Sequence, residues 1–228
     1  MLEAFGEELW IADGPTVSFY GFPYPTRMAV ARFPDRKLWL WSPIEWSTEL
    51  GQALDALGEV SALVAPNKLH HLFLGKWAEQ YPAAQLYGAP GLKKKRPDLT
   101  FTGELGEEAP THWKGVIDQV VVGGSFAMNE VVFFHRPSRT ALVCDLIQKL
   151  DETAFSGWRR WAMKLDGLLG PDGSTPREWR ATFTNRNAAR AALETILDWN
   201  PKQLILAHGP IFAEKAGDII ASSLHWMR

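Results

Sequence analysis

The chain has 228 residues, of which 46% are hydrophobic and 12% aromatic, so it can bury one large core, and we predict a single domain over residues 1–228. Its 24 basic and 26 acidic residues nearly balance, which excludes a strong positive field and predicts no nucleic-acid partner. No segment approaches the roughly 20 apolar residues that span a bilayer, no signal-peptide pattern is present, and the single cysteine, Cys144, excludes an intramolecular disulfide. These features predict a cytoplasmic protein with no membrane partner.

The first part of the chain predicts an antiparallel meander. Its strands are expected near Glu8–Ala12, Val17–Tyr20, Met28–Phe33 and Lys37–Trp41. In the last of these, Trp39 and Trp41 alternate with leucines, so one pair should face the core while the other lies under a helix or lines a groove. A helix is predicted near Thr48–Leu57, ending at Gly58.

Strands and helices alternate in the rest of the chain. The further predicted strands are Ser61–Ala65, Glu130–His135, Thr140–Cys144 and Gln203–Ala207. One helix is predicted from His70 to Tyr81, where Pro82 stops it, and another from Asn187 to Trp199. The basic run Lys93–Arg96 is interpreted as a solvated helix end or loop, with phosphate binding as the alternative.

Two of the eleven tryptophans lie close together on a predicted helix. Trp158 and Trp161 are three residues apart within Asp151–Lys164, and Phe155 falls on the same face. We predict that this face packs against the core. The alternative is an apolar lid over a binding site, because loops and short elements beyond strand ends commonly shape pockets.

Ligand-type side chains stand at the ends of three predicted strands. The doublet His70-His71 comes after the first of the later strands, Asp145 closes the hairpin, and His208 follows the last strand. In an α/β sheet the carboxyl ends of strands are where sites assemble. The pattern predicts a metal or catalytic centre. The alternatives are a surface or capping role for the doublet, a helix-capping role for Asp145 and a turn role for His208.

These motifs resemble successive motifs of the metallo-β-lactamase superfamily. More closely, the run from Trp10 to Phe212 is similar to a family of unknown function within that superfamily. The landmarks are Ser42-Pro43, Ala65-Pro66-Asn67, His70-His71-Leu72-Phe73, Trp77, Tyr81-Pro82, Asp145-Leu146 and Ala207-His208-Gly209. The resemblance implies an α/β fold, an αββα sandwich in which two mixed sheets lie between helical layers.

The sequence departs from the superfamily at the first metal site. Its usual motif is His-x-His-x-Asp-His, and if His71 takes the last position, His70 replaces the aspartate. Lys68 and Pro66 then replace the two leading histidines. The position of a further histidine of that site falls near Val121. The resemblance therefore implies that this first site is lost.

The second metal site of the superfamily is better preserved. Its ligand positions map to His70, His71, Asp145 and His208. Such a set suits one divalent metal ion, with zinc favoured over iron or nickel, although a chain without any metal is the alternative. In a second register His70 takes the last histidine position and Asn67 is its upstream neighbour, which leaves His71 as a helix-face residue.

The resemblance implies a function only through this site. The leading hypothesis is a single-metal hydrolase-like enzyme that acts on a small ester, lactone, thioester or phosphoester through a metal-activated water. In this hypothesis Asp145 takes part in catalysis by binding the metal ion. The Lys68 ammonium stabilises an oxyanion or a substrate anion in place of the missing metal. The competing hypothesis is a non-catalytic protein that binds a small ligand, with an anionic ligand as one alternative. An iron-dependent redox protein is the third. The oligomeric state stays open.

Overall fold

Two mixed β-sheets form the centre of the structure, a computed structural model that describes residues 1–228. The first sheet contains, in spatial order, β1 (Leu2–Gly6), β2 (Leu9–Phe19), β3 (Phe22–Arg32), β4 (Lys37–Trp41), β5 (Glu59–Ala65), β6 (Gln85–Gly88) and β7 (Gly103–Glu104). The second contains β8 (Ile117–Val122), β9 (Glu130–His135), β10 (Thr140–Val143), β11 (Gln203–Leu206) and β12 (Ile211–Phe212), with β12 and β8 at its edges.

Seven helices accompany the sheets. They are α1 (Thr48–Leu57), α2 (Leu74–Gln80), α3 (Leu92–Lys95), α4 (Gly157–Leu165), α5 (Arg177–Arg180), α6 (Arg186–Asp198) and α7 (Ala216–Ser223). Short 3₁₀ turns lie at Glu152–Ala154 and His225–Met227. None of the helices is both long and apolar enough to cross a membrane.

The predicted meander is confirmed, with one correction. Strands β1 to β4 pair antiparallel, but the two segments predicted near Glu8–Ala12 and Val17–Tyr20 form the single strand β2, whose pairing with β3 shifts register between Gly14 and Val17. Strand β4 then pairs parallel with β5, and β10 pairs parallel with β11. These two parallel pairs matter for function because the carboxyl ends of both strands of a parallel pair lie at one edge.

The core consists of three apolar layers. Trp39 and Trp41 lie fully buried between the sheets, where Trp39 meets Phe133 of the second sheet with ring centroids 5.1 Å apart. The alternating leucines of β4 lie on the opposite face in the layer that α1, α2 and α3 cover, and α6 and α7 cover the outer face of the second sheet. This arrangement is the αββα sandwich, so the predicted fold class is confirmed.

Helix α1 has the predicted bounds, whereas α2 begins four residues later than predicted. The α1 cap is local: the Oγ of Ser47 accepts from the amide of Leu50. Before α2, the side-chain oxygen of Asn67 accepts from the amides of Leu69 and His70 and holds the chain in a turn. The first ligand-type side chain therefore projects from a turn and not from a helix.

The prediction that Trp158 and Trp161 pack inward is wrong. Their exposed fractions are 67% and 66%, and Met163, which is 6% exposed, is the residue of α4 that packs inward. Phe155 belongs to an extended segment before α4, so it does not share a face with the two tryptophans. The helix thus presents an aromatic face to solvent.

Candidate metal centre

Three strand ends bring His70, Asp145 and His208 together. They follow β5, β10 and β11, and one donor atom from each lies within 4.8 Å of the others. The Nε2 atom of His70 lies 3.1 Å from Nε2 of His208 and 3.3 Å from Oδ2 of Asp145. The Nε2 atom of His208 lies 3.4 Å from Oδ1 of Asp145. We call these three residues the His-Asp-His cluster.

The hydrogen bonds of the cluster fit a metal ion. The Nδ1 atom of His208 donates to the carbonyl oxygen of Pro25 at 2.6 Å, which leaves a lone pair on its Nε2. The Nδ1 atom of His70 contacts Oγ of Ser42 at 2.7 Å. Such outer hydrogen bonds orient the histidines that ligate metals. Ligands about 2.0–2.1 Å from a tetrahedral zinc ion are about 3.3 Å apart. Each imidazole has that spacing from the other and from one oxygen of the carboxylate, His70 from Oδ2 and His208 from Oδ1.

Burial and charge shape the protonation of the cluster. Although burial opposes ionisation, the two imidazoles hold the pKa of Asp145 well below its usual range. Burial lowers the pKa of His70. Burial also acts to lower the pKa of His208, but the hydrogen bond and the charge of Asp145 outweigh it and raise that pKa. The carboxylate is therefore available as a ligand, and a metal ion that binds here competes with a proton on His208.

Two buried amides hold the Asp145 carboxylate in place. Asn67 donates its Nδ2 to Oδ2 at 2.7 Å, and Gln148 donates its Nε2 to Oδ1 at 2.9 Å. The side-chain oxygen of Gln148, Oε1, is buried and has no hydrogen-bond partner. Buried amides therefore hold both oxygens of the carboxylate.

Glu130, the first residue of β9, lies behind the cluster and is fully buried. It accepts hydrogen bonds from the backbone amides of Cys144, Asp145 and Leu146 and from the side chain of Asn67. Burial, together with the Asp145 charge, raises its pKa to about 8, while the donated hydrogen bonds favour the ionised form. Glu130 therefore fixes the backbone from which Asp145 projects. Sequence reasoning missed it because a single glutamate ahead of an apolar strand carries no distinguishing pattern.

The structure separates the two residues of the histidine doublet. His71 lies outside the cluster, and its Nδ1 and its carbonyl oxygen both accept from the Arg96 guanidinium at 3.0 Å. Burial, with the positive charges of Lys95 and Arg96, lowers its pKa to about 4. His70 alone turns toward Asp145, which is the arrangement of the second register. Three of the four predicted ligand residues, His70, Asp145 and His208, lie together.

Lys68 also lies elsewhere than expected. The end of its side chain packs beside Gly91, and it is not among the residues that line the cavity over the cluster. Lys95, from the basic run interpreted as a solvated helix end, lines that cavity, and its Nζ donates to the carbonyl oxygen of Lys68 at 2.7 Å. The ammonium group nearest to a ligand in the cavity is therefore that of Lys95.

The His-Asp-His cluster forms part of the wall of a cavity of about 600 Å³. Its other walls are largely apolar, with Tyr24, Ile44, Phe73, Met128 and Trp179 among them. The ring of Tyr24 meets that of His208 edge-on, with centroids 5.3 Å apart. A small molecule of mixed polarity can therefore reach the cluster from solvent.

Comparison with known proteins identifies the family. The profile of a family described as a domain of unknown function, DUF4336, matches residues 7–158. The chain belongs to the DUF4336 family. Among curated proteins, none matches this DUF4336 chain.

Solved structures identify the fold of this DUF4336 protein. The DIM-1 metallo-β-lactamase exposed to ceftazidime is 16% identical, with a TM-score of 0.69 over 100% of this chain and 97% of that one. A metallo-β-lactamase from Pontibacter korlensis is 12% identical, with a TM-score of 0.65 over 99% and 98%. The mono-zinc form of FIM-1 from Pseudomonas aeruginosa is 12% identical, with a TM-score of 0.64 over 99% and 95%. These likenesses confirm a metallo-β-lactamase-like fold, and the family to which the chain belongs is one of unknown function.

Replacing Ser42 should weaken metal binding by this DUF4336 protein without unfolding it. Ser42 follows β4, has a left-handed backbone (φ 51°) and orients His70 through its Oγ. For Ser42→Ala we expect a loss of metal affinity of about 10- to 100-fold, the usual effect of removing an outer hydrogen bond. Competition with a chelating dye measures it. Ser61→Ala is the control, because Oγ of Ser61 donates to Leu38 of the neighbouring strand; equal affinities for both variants would contradict the positioning role.

Proposed function

We propose that this protein is a single-metal hydrolase that cleaves an ester, lactone, thioester or phosphoester bond in a small substrate. The observation that carries the proposal is the convergence of His70, His208 and Asp145 on one point in the wall of a substrate-sized cavity. The fold supports it, and one structural neighbour, FIM-1, was crystallised in a mono-zinc form. A divalent metal ion supplies a water of lowered pKa and polarises a carbonyl or phosphoryl oxygen.

The chain provides the ligands and their charge. His70 and His208 would each offer a neutral imidazole and Asp145 a carboxylate, and three protein ligands leave a coordination position free, as in catalytic zinc sites. Two imidazoles and one carboxylate are also the set that non-haem iron uses, so the identity of the metal is part of the test. In this proposal Asp145 acts through the metal ion, and Lys68 has no role.

Gln148 would keep the Asp145 carboxylate in the orientation that a metal ligand needs. Its Nε2 donates to Oδ1 of Asp145 at 2.9 Å. Hydrogen bonds of this kind orient the carboxylates that ligate metals. The apolar walls around Ile44 and Trp179 exclude other water and hold the non-reacting part of the substrate.

Metal reconstitution followed by a hydrolysis screen tests the proposal. Purified protein stripped with a chelator should take up one equivalent of zinc or iron. The loaded protein should then hydrolyse at least one member of a panel of nitrophenyl esters, lactones, thioesters and phosphoesters, whereas the stripped protein should not. Uptake of two equivalents at full occupancy, or of none, contradicts the single-metal site. One equivalent with ligand binding but no turnover in any class contradicts the hydrolase and favours the binding-protein hypothesis.

Lys95 is expected to recognise an anionic group on the ligand. Removing its charge in Lys95→Met should weaken binding of anionic ligands by about 1 kcal/mol, roughly fivefold in Kd, because an exposed ion pair is screened by water. Lys68→Met is the matched control, because Lys68 is also a partly exposed lysine in the same region but does not line the cavity. Titration calorimetry with one anionic ligand measures both variants. If only Lys68→Met weakens the binding of the anionic ligand, Lys68 and not Lys95 recognises the anionic group.

A further inference from the structure

The large apolar side chains that remain exposed gather around the mouth of the cavity. Apart from the first residue of the chain, they are Phe19, Tyr20, Leu69, Leu72, Phe126, Trp158, Trp161 and Leu165. The first four line the cavity, and Phe126 precedes the lining residue Ala127. The last three lie on α4. Scattered exposed apolar residues need no explanation, but their concentration on one face marks an interaction surface. We call this surface the aromatic face.

Helix α4 belongs to the aromatic face because it packs against the hairpin of β2 and β3. The ring of Phe22, next to the hairpin tip, meets that of Trp158 edge-on, with centroids 5.6 Å apart. The Arg159 guanidinium lies over both rings. At the tip itself Tyr20 is 88% exposed. The helix and the hairpin tip therefore present their aromatic rings side by side.

Helix α4 is amphipathic in an unusual sense, because it exposes its large apolar residues. Trp158, Trp161 and Leu165 recur at the spacing of one helix face, and Met163 alone is buried. The helix carries three cations, Arg159, Arg160 and Lys164, and no acidic residue. Tryptophan and tyrosine are the side chains that favour the boundary between water and lipid. A basic helix that exposes tryptophan is typical of segments that lie in that boundary.

The charges distinguish a lipid surface from a second copy of the chain. The whole protein has a net charge of −2, whereas α4 carries three cations, with Asp166 directly after its last residue. Arg160 pairs with Glu152, while Arg159 and Lys164 are in no salt bridge. A symmetric dimer through this face would bring each basic helix near its own copy, and like charges oppose that contact. Anionic head groups attract the same cations.

We propose that the aromatic face docks on the surface of an anionic lipid bilayer, with Tyr20, Trp158 and Trp161 at the level of the head groups. Arg159 and Lys164 then meet lipid phosphates, and the mouth of the cavity faces the lipid. This proposal departs from the sequence-based expectation of no membrane partner, which rested on the lack of a segment long enough to cross a bilayer. The proposal is independent of the hydrolase proposal, because it uses none of the residues of the His-Asp-His cluster.

Co-sedimentation with vesicles tests the docking. The parent protein should bind vesicles of phosphatidylcholine and phosphatidylglycerol, bind less at high salt, and not bind pure phosphatidylcholine. The double variant Trp158→Ser with Trp161→Ser should lose binding about tenfold or more, and so should Arg159→Glu with Lys164→Glu. The charge control is Lys202→Glu with Lys215→Glu, an equal change in charge at two exposed positions near the start of β11, the end of the strand opposite to the cluster, which should bind like the parent.

Other outcomes overturn the proposal. It fails if the parent protein does not bind anionic vesicles, or if the tryptophan and charge variants bind them as the parent does. It also fails if these variants abolish a concentration-dependent dimer, or binding to a single-stranded RNA, while vesicle binding is absent. Circular dichroism should show that the variants are folded, as expected for changes at exposed positions. The His70→Ala variant should still bind vesicles, so failure of the metal site and failure of docking can be told apart.

Discussion

Replacing His70 with alanine should abolish tight metal binding, whereas replacing its neighbour His71 should leave it intact. The first change removes one of three converging donor atoms, so the loss should exceed the roughly 10- to 100-fold effect of losing an outer hydrogen bond. The second change removes a ring that accepts from Arg96 outside the cluster. The two variants remove the same chemical group from adjacent positions, which makes each the control of the other.

Metal analysis after dialysis and competition with a chelating dye measure both affinities. Metal should also stabilise the parent and His71→Ala, by about 2.7 kcal/mol at a hundredfold excess over the dissociation constant, but not His70→Ala. Asp145→Asn preserves volume and should lose metal as His70→Ala does. Equal loss of metal in the His70 and His71 variants would show that both histidines are ligands, as in the four-residue set. Equal retention of metal in both variants would show that the cluster does not bind the metal.

Glu130→Ala should destabilise the fold more than any exposed substitution. It removes the acceptor of three buried backbone amides and one of the two acceptors of the Asn67 side chain. Unsatisfied buried donors cost about 1–3 kcal/mol each, and since such costs do not add fully, we expect a loss of about 4 kcal/mol in the free energy of unfolding. That is a large share of the roughly 5–15 kcal/mol by which domains are stable.

Urea unfolding in excess chelator measures this effect without a contribution from metal. Glu130→Gln should lose about 1–3 kcal/mol of unfolding free energy, a value between the parent and the alanine variant. The glutamine side chain retains one acceptor oxygen but places an N–H donor against a backbone N–H that the carboxylate accepts from. Glu59→Ala is the matched control, because Glu59 also opens a strand but is exposed, and its cost should stay within about 0.5 kcal/mol. A Glu130→Ala variant as stable as the Glu59→Ala variant would show that the carboxylate does not support the site.

Predictions from local patterns were the most reliable. The apolar and polar alternation of β4 places its tryptophans between the sheets, and the cap at Ser47 sets the start of α1. Where a local interaction was not visible in the pattern, the bounds were wrong. The turn held by Asn67 delays α2, because a side chain that accepts from two amides outweighs helix propensity over a few residues.

The positions of the candidate ligands could be predicted because each follows an apolar strand, and the parallel pairs bring such ends to one edge. The choice between His70 and His71 could not, because Arg96, 25 residues away, draws one ring aside. Nor could the role of Glu130 be predicted, because its backbone donors follow β10 and its side-chain donor, Asn67, follows β5. The exposure of Trp158 was not predictable either. The sequence alone determined which strand ends carry ligand chemistry, since that depends on near neighbours along the chain. Only the tertiary structure decided which side chains converge, because their orientation is set by partners distant in sequence.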